Sequence, residues 1–448
     1  MLLLLSAILA RVCLARASVT SGAPAVVQPA KTPLQQKKSL IHRQVPEFAP
    51  DRVLVKFYPG TAASEIGKAH RQSSGKQMKI IPGIGVHVMQ VPKGSVEKKI
   101  AIYQANPNVE YAEPDLYRVL IIPDEGNDPG PFACGVVEDR GYFEEQWGLN
   151  NTGQEHTDDP LQVTGWPDAD IDAPEGWDIT IGDPGVKIAI LDTGIDCTSV
   201  EHAGKCVEQM SFVTEYSNNL DDLAQHGTHV AGIAAVNTDN GIGVSGVGWN
   251  SSIGNLKTCF EYDLVPPLGI YTGVCPVSAS AAAITYAANN GYHVINMSYG
   301  SDLIDEFGNP VGLSSPPSAE TDAINYAWSQ GVVLVAAAGN NGDTAKTYPA
   351  ANANVIAVAG TDRYDFKWEG STFGNSWVSL MAPGKNILST IPVDVCVAYA
   401  ASQNCSFDPV TEGCLRGIPG HPWQVRMLPG LQRWYGRTCS QGSLRNPA

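Results

Sequence analysis

The chain has 448 residues, 43% of them apolar, and a formal net charge of −16. That length exceeds one ordinary domain and fits two folded units or a precursor, with enough apolar material for a sizeable core. The charge is split between a basic front (residues 1–118, +9), a strongly acidic body (residues 119–392, −27) and a weakly basic tail (residues 393–448, +2); the body would repel phosphates, which excludes nucleic acid as its partner, and the front should be drawn to it.

Met1 to Ala10 is nearly all Leu, Ile and Ala, and Ala15-Arg16-Ala17 follows. This reads as a secretory signal peptide over 1–17, which makes the protein secreted. Residues 18–47 form a flexible lead-in rich in Ala, Pro, Gln and Lys. No later stretch reaches the ~18 to 20 apolar residues of a membrane helix, so no membrane span is expected. Secretion permits disulfides. Cys197 and Cys206 flank one short loop and Cys259 and Cys275 another, but spacing alone does not fix pairing. No CxxC or His/Cys cluster has zinc spacing, and no catalytic metal is expected.

From Asp51 the pattern becomes compact. Val53, Val55 and Phe57 alternate as in a half-buried strand. Ala62 to Gln72 predicts a helix, Met78 to Ile84 and Gly85 to Val91 two strands, Val96 to Ala105 a helix and Val109 to Ala112 a last strand. The order βαββαβ is the ferredoxin-like α+β arrangement, placed at 48–118. Residues 119–143 carry Pro123, Gly126, Pro129, Gly130 and Pro131 and suit a processing linker.

The body, 144–392, alternates apolar strands with helices. Strands are predicted at Val186 to Leu191, Val294 to Met297, Val332 to Ala337 and Asn354 to Ala359, and helices at Gly227 to Ala235, Ala279 to Asn289 and Ala319 to Gln330. This is an α/β pattern with a parallel sheet, whose sites lie at the carboxyl ends of the strands.

Three segments put polar residues among glycines there. Asp192-Thr193-Gly194 offers a carboxylate that backbone amides can hold ionised; alone it is equally a structural Asx turn. His226-Gly227-Thr228-His229-Val230-Ala231-Gly232 puts His226 at a helix start, where it becomes a general base if a carboxylate orients its ring. Ala336-Ala337-Ala338-Gly339-Asn340 ends a strand on an amide donor suited to a developing oxyanion.

Together these segments resemble the subtilisin-like (subtilase) family of serine endopeptidases, peptidase family S8, from about Trp147 to Pro392. The resemblance implies that Asp192 orients His226, that His226 takes the proton of a nucleophilic serine, and that Asn340 supplies the oxyanion hole. Ser298, Tyr299 and Gly300 match the family's substrate-binding edge, where a polypeptide substrate pairs as an added strand. Residues 48–118 resemble the inhibitory propeptide, an intramolecular partner of the cleft whose charge complements the body. Asn237 to Val244 resembles a structural calcium loop: Asn240 would give its side chain, and Thr238, Ile242 and Val244 their carbonyls. Glu201 stands where the family places an aspartate.

The chain then departs from the family. Met381-Ala382-Pro383-Gly384 matches the approach to the serine, but no Gly-Thr-Ser follows. Residues 393–448 read as an unrelated tail with four Cys and five Pro, so the C-terminal part of the subtilisin-like domain is missing. Loss of the serine-bearing helix should uncover apolar sheet residues, at an expense on the order of 10 kcal/mol. A truncated or mis-spliced reading frame and a serine-less pseudoprotease that binds peptides or inhibits both fit.

Overall fold

A computed structural model describes residues 44–121, 132–134, 142–154, 164–214, 216, 219–264, 271–301, 313, 315–394 and 414–417. The signal segment, nearly all of the lead-in and most of the tail lie outside the described residues.

The front unit runs β1 (Phe48–Phe57), α1 (Ala63–Ser73), β2 (Lys76–Ile81), β3 (Val86–Gln90), α2 (Val96–Gln104) and β4 (Val109–Leu120). Its sheet order, β2-β3-β1-β4 with antiparallel neighbours, completes the ferredoxin-like arrangement. The period of two along β1 splits its side chains between two cores. Val53, Val55 and Phe57 pack with Ala69, Val96 and Tyr103 under the unit's own helices. Leu54 faces the other way, into the main core of the body with Ile81, Val86 and Val88.

Within the linker lies β5 (Phe132–Cys134), and beyond it come α3 (Ala173–Ile179), β6 (Lys187–Asp192), β7 (Cys206–Ser211), α4 (His226–Ala235), β8 (Ser252–Lys257), β9 (Phe260–Asp263), β10 (Tyr271–Pro276) and α5 (Val277–Asn289). The chain goes on through β11 (Val294–Met297), β12 (Tyr299–Gly300), α6 (Ser318–Ser329), β13 (Val333–Ala337), β14 (Ile356–Thr361), β15 (Leu380–Pro383), β16 (Leu388–Thr390) and β17 (Cys414–Gly417). A parallel seven-stranded sheet orders them β15-β14-β13-β11-β6-β8-β7. After β6 the chain builds β7 and β8 on one side, then crosses to β11 on the other. The end of β6 is therefore a topological switch point, where a crevice opens. The backbone of β17, in the tail, pairs with β16 and β5.

One face of the parallel sheet is closed. Leu191, Ile295, Met297, Leu334 and Ala336 lie fully buried in one core with residues of α5 and α6. The opposite face is covered over β6 and β8, where Ile190 and Ile253 pack against Ala231 and Ala235 of α4. Farther along, Val294, Val335, Ile356 and Val358 are only half-buried, and Val333 and Leu380 are 38% and 48% exposed.

Both local bridges are formed, Cys197–Cys206 and Cys259–Cys275. The last strand of the front unit differs most from expectation. It does not stop at Ala112 but runs to Leu120, past the domain limit placed at 118. Its extra length is paired by the body: Tyr117, Arg118 and Val119 oppose Pro276, Cys275 and Val274 of β10, and Val119 and Leu120 oppose Gly300 and Tyr299 of β12.

Candidate active site

Asp192 ends β6 at the switch point and is 1% exposed. Its Oδ1 lies 2.8 Å from His226 Nδ1 and accepts the Thr193 amide at 2.8 Å. His226 opens α4, and Gly227 after it is required sterically: a Cβ there would run into the Gly194 carbonyl oxygen and crowd Asp192 Cβ. Glycine thus lets the helix start close enough for the imidazole to reach the carboxylate.

A residue that sequence reasoning passed over supports this start. Asp222 is buried, accepts the Thr228 amide at 2.8 Å through Oδ2, and receives the Thr193 hydroxyl at 2.7 Å through Oδ1. It caps α4, whose N-cap residue Gln225 does not cap the helix with its own side chain. Its signal was an acidic residue just ahead of a predicted helix start. Burial lifts the Asp222 carboxyl to about 6, against the pull of the Thr193 and Thr228 hydrogen bonds. Burial also presses the His226 imidazole down, but the Asp192 charge and hydrogen bond, with Asp222 and the Ile121 carbonyl, outweigh it, and its pKa ends above the ordinary value. Such a ring holds a proton well, as a general base beside a buried carboxylate should.

The second ring nitrogen of His226, Nε2, lies 3.4 Å from the carbonyl oxygen of Ile121, the residue just past β4. The Ile121 amide donates to the Ser298 carbonyl at 3.0 Å. The end of the front unit therefore lies in the crevice as an added strand between β10 and the Ser298-Tyr299-Gly300 edge, with its last described carbonyl on the histidine. Asn340 follows β13, half-buried, on the same carboxyl edge of the sheet.

The seam between the two units is polar and matched. Helices α5 and α6 begin after Pro276 and Pro317 and have no side-chain cap of their own. Asp115 caps α5 from β4, accepting the Ser278 amide at 2.9 Å and its hydroxyl at 2.6 Å. Glu113, two residues earlier on the same strand face, accepts the Ser318 and Ala319 amides of α6 at 2.9 Å each. Burial raises the pKa of both carboxyls, and the capping bonds oppose it. Arg118 and Glu320 form a buried ion pair at 3.0 Å.

The suspected calcium residues do not all converge through side chains. Glu201 is 1% exposed; burial lifts its carboxyl to about 8 against the pull of the Val244 amide, and neither oxygen makes a well-aligned hydrogen bond among the described residues. It lies beneath the loop: a Cβ on Gly243 would collide with its carboxylate. Asn240 is exposed, with Oδ1 accepting the Ile242 amide at 3.2 Å, while Thr238 and Ile242 are half-buried and Val244 is buried. A buried carboxylate with no well-aligned hydrogen bond, lying against the loop carbonyls, fits a cation between Glu201 and that loop.

Comparison with known proteins settles the lineage. The model of the subtilase family matches residues 183–413, and that of the fervidolysin N-terminal prodomain matches 36–115. The chain belongs to the subtilase family. This subtilase is 33% identical over 347 residues to a thermophilic serine proteinase of Bacillus sp. (strain AK1), covering 77% of the chain and 72% of that protein. It is 42% identical over 236 residues to thermitase of Thermoactinomyces vulgaris, covering 53% of the chain and 75% of thermitase. Among solved structures it shares its fold with fervidolysin of Fervidobacterium pennivorans, a keratinolytic enzyme related to subtilisin. That match has a TM-score of 0.57 at 24% identity and covers 84% of this chain and 53% of fervidolysin. The prodomain-like front and the subtilisin-like sheet are thus both members of known families. The family match runs to residue 413, past Pro392.

Proposed function

We propose that this chain is a secreted precursor-type subtilase in which the prodomain's last strand fills the peptide cleft. Asp192 and His226 form the acid–base pair, Asn340 is the oxyanion donor, and Ser298 to Gly300 form the substrate edge. The observation that carries this reading is the continuous path from β4 to the Ile121 carbonyl, 3.4 Å from a histidine that Asp192 holds at 2.8 Å. Such a pair activates a serine hydroxyl for attack on the carbonyl of the strand-bound chain and returns the proton to the leaving amine.

The 448 residues contain no Gly-Thr-Ser run, so the histidine has no family nucleophile to activate. On this reading the 448 residues as given would hold peptide without cleaving it. The family reading is a serine endopeptidase whose serine segment is interrupted; the second reading is a serine-less pseudoprotease that acts as a peptide-binding or inhibitory module, and both would carry this Asp192–His226 bond and this occupied edge. The test is labelling by a serine-directed phosphonate together with turnover of a chromogenic peptide; neither is expected. Turnover that disappears on His226→Ala would overturn the assignment of inactivity.

A structural calcium at Glu201 belongs to the same proposal. Glu201 and the carbonyls of Thr238, Ile242 and Val244 would hold it, with the Asn240 side chain. The ion would neutralise the buried carboxylate and brace the loop that follows α4.

A further inference from the structure

Counting back along the strand in the cleft, Ile121 lies at His226, Val119 is paired on both sides, and Arg118 opposes Cys275. The Arg118 side chain is buried to 1% exposure. Its guanidinium Nη2 donates to Glu320 Oε2 at 3.0 Å, and Glu320, on the first turn of α6, is 0% exposed. Glu320 Oε1 has no hydrogen-bond partner among the described residues, and Tyr299 of the substrate edge is fully buried. With β4 in the cleft, the Glu320 carboxylate of the body is sealed from water, and one of its oxygens is met by a cation delivered on that strand.

We propose that Glu320 is a specificity residue of the peptide cleft. It selects extended chains with arginine three residues before the residue whose carbonyl meets His226. This rests on the reading of the cleft as a peptide site. An apolar residue at this strand position would leave the carboxylate buried and uncompensated, whereas arginine brings a compensating charge and a donor, here the single Nη2 bond to Oε2. The preference is therefore enforced by a penalty on the wrong occupant as well as by attraction of the right one.

The experiment uses the full chain. Hydrogen exchange is followed at the Val119 and Ile121 amides, which are paired to the cleft, for the unaltered chain and for Arg118→Lys and Arg118→Met. Protection is expected to fall at least tenfold in Arg118→Met and less in Arg118→Lys. The double variant Arg118→Met/Glu320→Leu, which removes both charges, is expected to regain it and keeps the test usable if Arg118→Met fails to fold. In parallel, labelled peptides Tyr-Arg-Val-Leu-Ile, Tyr-Met-Val-Leu-Ile and the citrulline form of the first are titrated into the Arg118→Met and double-variant chains. Arginine is expected to bind Arg118→Met at least tenfold tighter than either neutral peptide, and this preference should vanish in the double variant. Equal binding of all three peptides would overturn the selectivity while leaving the peptide cleft standing. No binding of any peptide, with unprotected amides in the unaltered chain, would overturn the cleft reading and the selectivity together.

Discussion

The seam between prodomain and body and the open face of the parallel sheet are two surfaces of one fold, and they are built by opposite rules. At the seam nearly every group is specific: Asp115 and Glu113 cap helices of the body, Arg118 neutralises Glu320, and Lys56 pairs with Asp322 at 2.7 Å. On the open face, Val333, Val335, Ile356, Val358 and Leu380 offer apolar surface to which no described residue is matched as α5 and α6 are matched to the other side. Polar complementarity is position-specific, because an unmet buried charge costs several kcal/mol. Apolar surface is fungible and loses stability in proportion to area. Substitutions at the seam should therefore be felt far more than equal-sized changes on the open face.

The largest effect is expected from Arg118→Ala, which strands the Glu320 carboxylate. A loss of about 3–5 kcal/mol in urea unfolding is expected, and a loss as small as that of an exposed substitution would break the contrast. Next, Ile295→Ala on the closed face should cost about 2–4 kcal/mol, while Val333→Ala on the open face should cost less than about 1. Equal costs would show that both faces are covered. Asp115→Asn keeps shape but weakens the cap of α5, and a loss of about 1–2 kcal/mol is expected. If the loop from 237 to 244 and Glu201 hold calcium as proposed, saturating calcium at about 100 times its Kd should add about 2.7 kcal/mol, with heat of binding seen by titration calorimetry. Glu201→Gln should abolish both.

The smallest expected effect is on pH response inside the prodomain. His70 and His87 face each other at 3.2 Å, with Tyr103 on His70 at 3.0 Å, Gln77 on His87 at 3.0 Å and the Phe57 ring edge-on to both. Burial, then the neighbouring His87, lowers His70 from 6.5 to about 4, and burial lowers His87. A depressed histidine gives stability that is present above the unfolded value and is lost as pH falls through the folded one. Prodomain protection, corrected for intrinsic exchange, should therefore decline from about pH 6.5 toward about 4, and His70→Gln should flatten that decline. His226 has the opposite sign: its raised pKa favours the charged ring, so its contribution is present at acid pH and fades as pH rises through the raised value.

The sequence made local periodicity legible. The predicted strand at Val294 to Met297 and the helix at Val96 to Ala105 match their elements to within a residue, because packing reinforces their intrinsic pattern. The ends of strands that carry Asp192 and Asn340, and the helix that His226 opens, were also readable, since glycines and small residues mark them. What the sequence hid depends on distant partners. The stretch from Glu113 to Leu120 contains Pro114 and three charged residues and lacks strand alternation; β1 pairs its first half, and from Tyr117 on it stays extended because β10 and β12, more than 150 positions away, pair with it. β8 contains Gly254 and Asn255 and was missed for the same reason, since it is fully buried between β6 and β7. Arg118 and Glu320 stand 202 positions apart, so neither residue signals the other.

The Cys259–Cys275 bridge gives the cleft a mechanical character. Cys275 lies in β10, the strand on which the bound chain rests, and Cys259 follows β8. The amides of Thr258 and Cys259 both donate to the Asp192 carbonyl, at 2.9 and 3.1 Å. A pull on a peptide held along β10 is therefore not borne by edge hydrogen bonds alone. It passes through a covalent tie into the backbone of the catalytic-type aspartate, so that the wall that grips and the residue that orients His226 move as one lever.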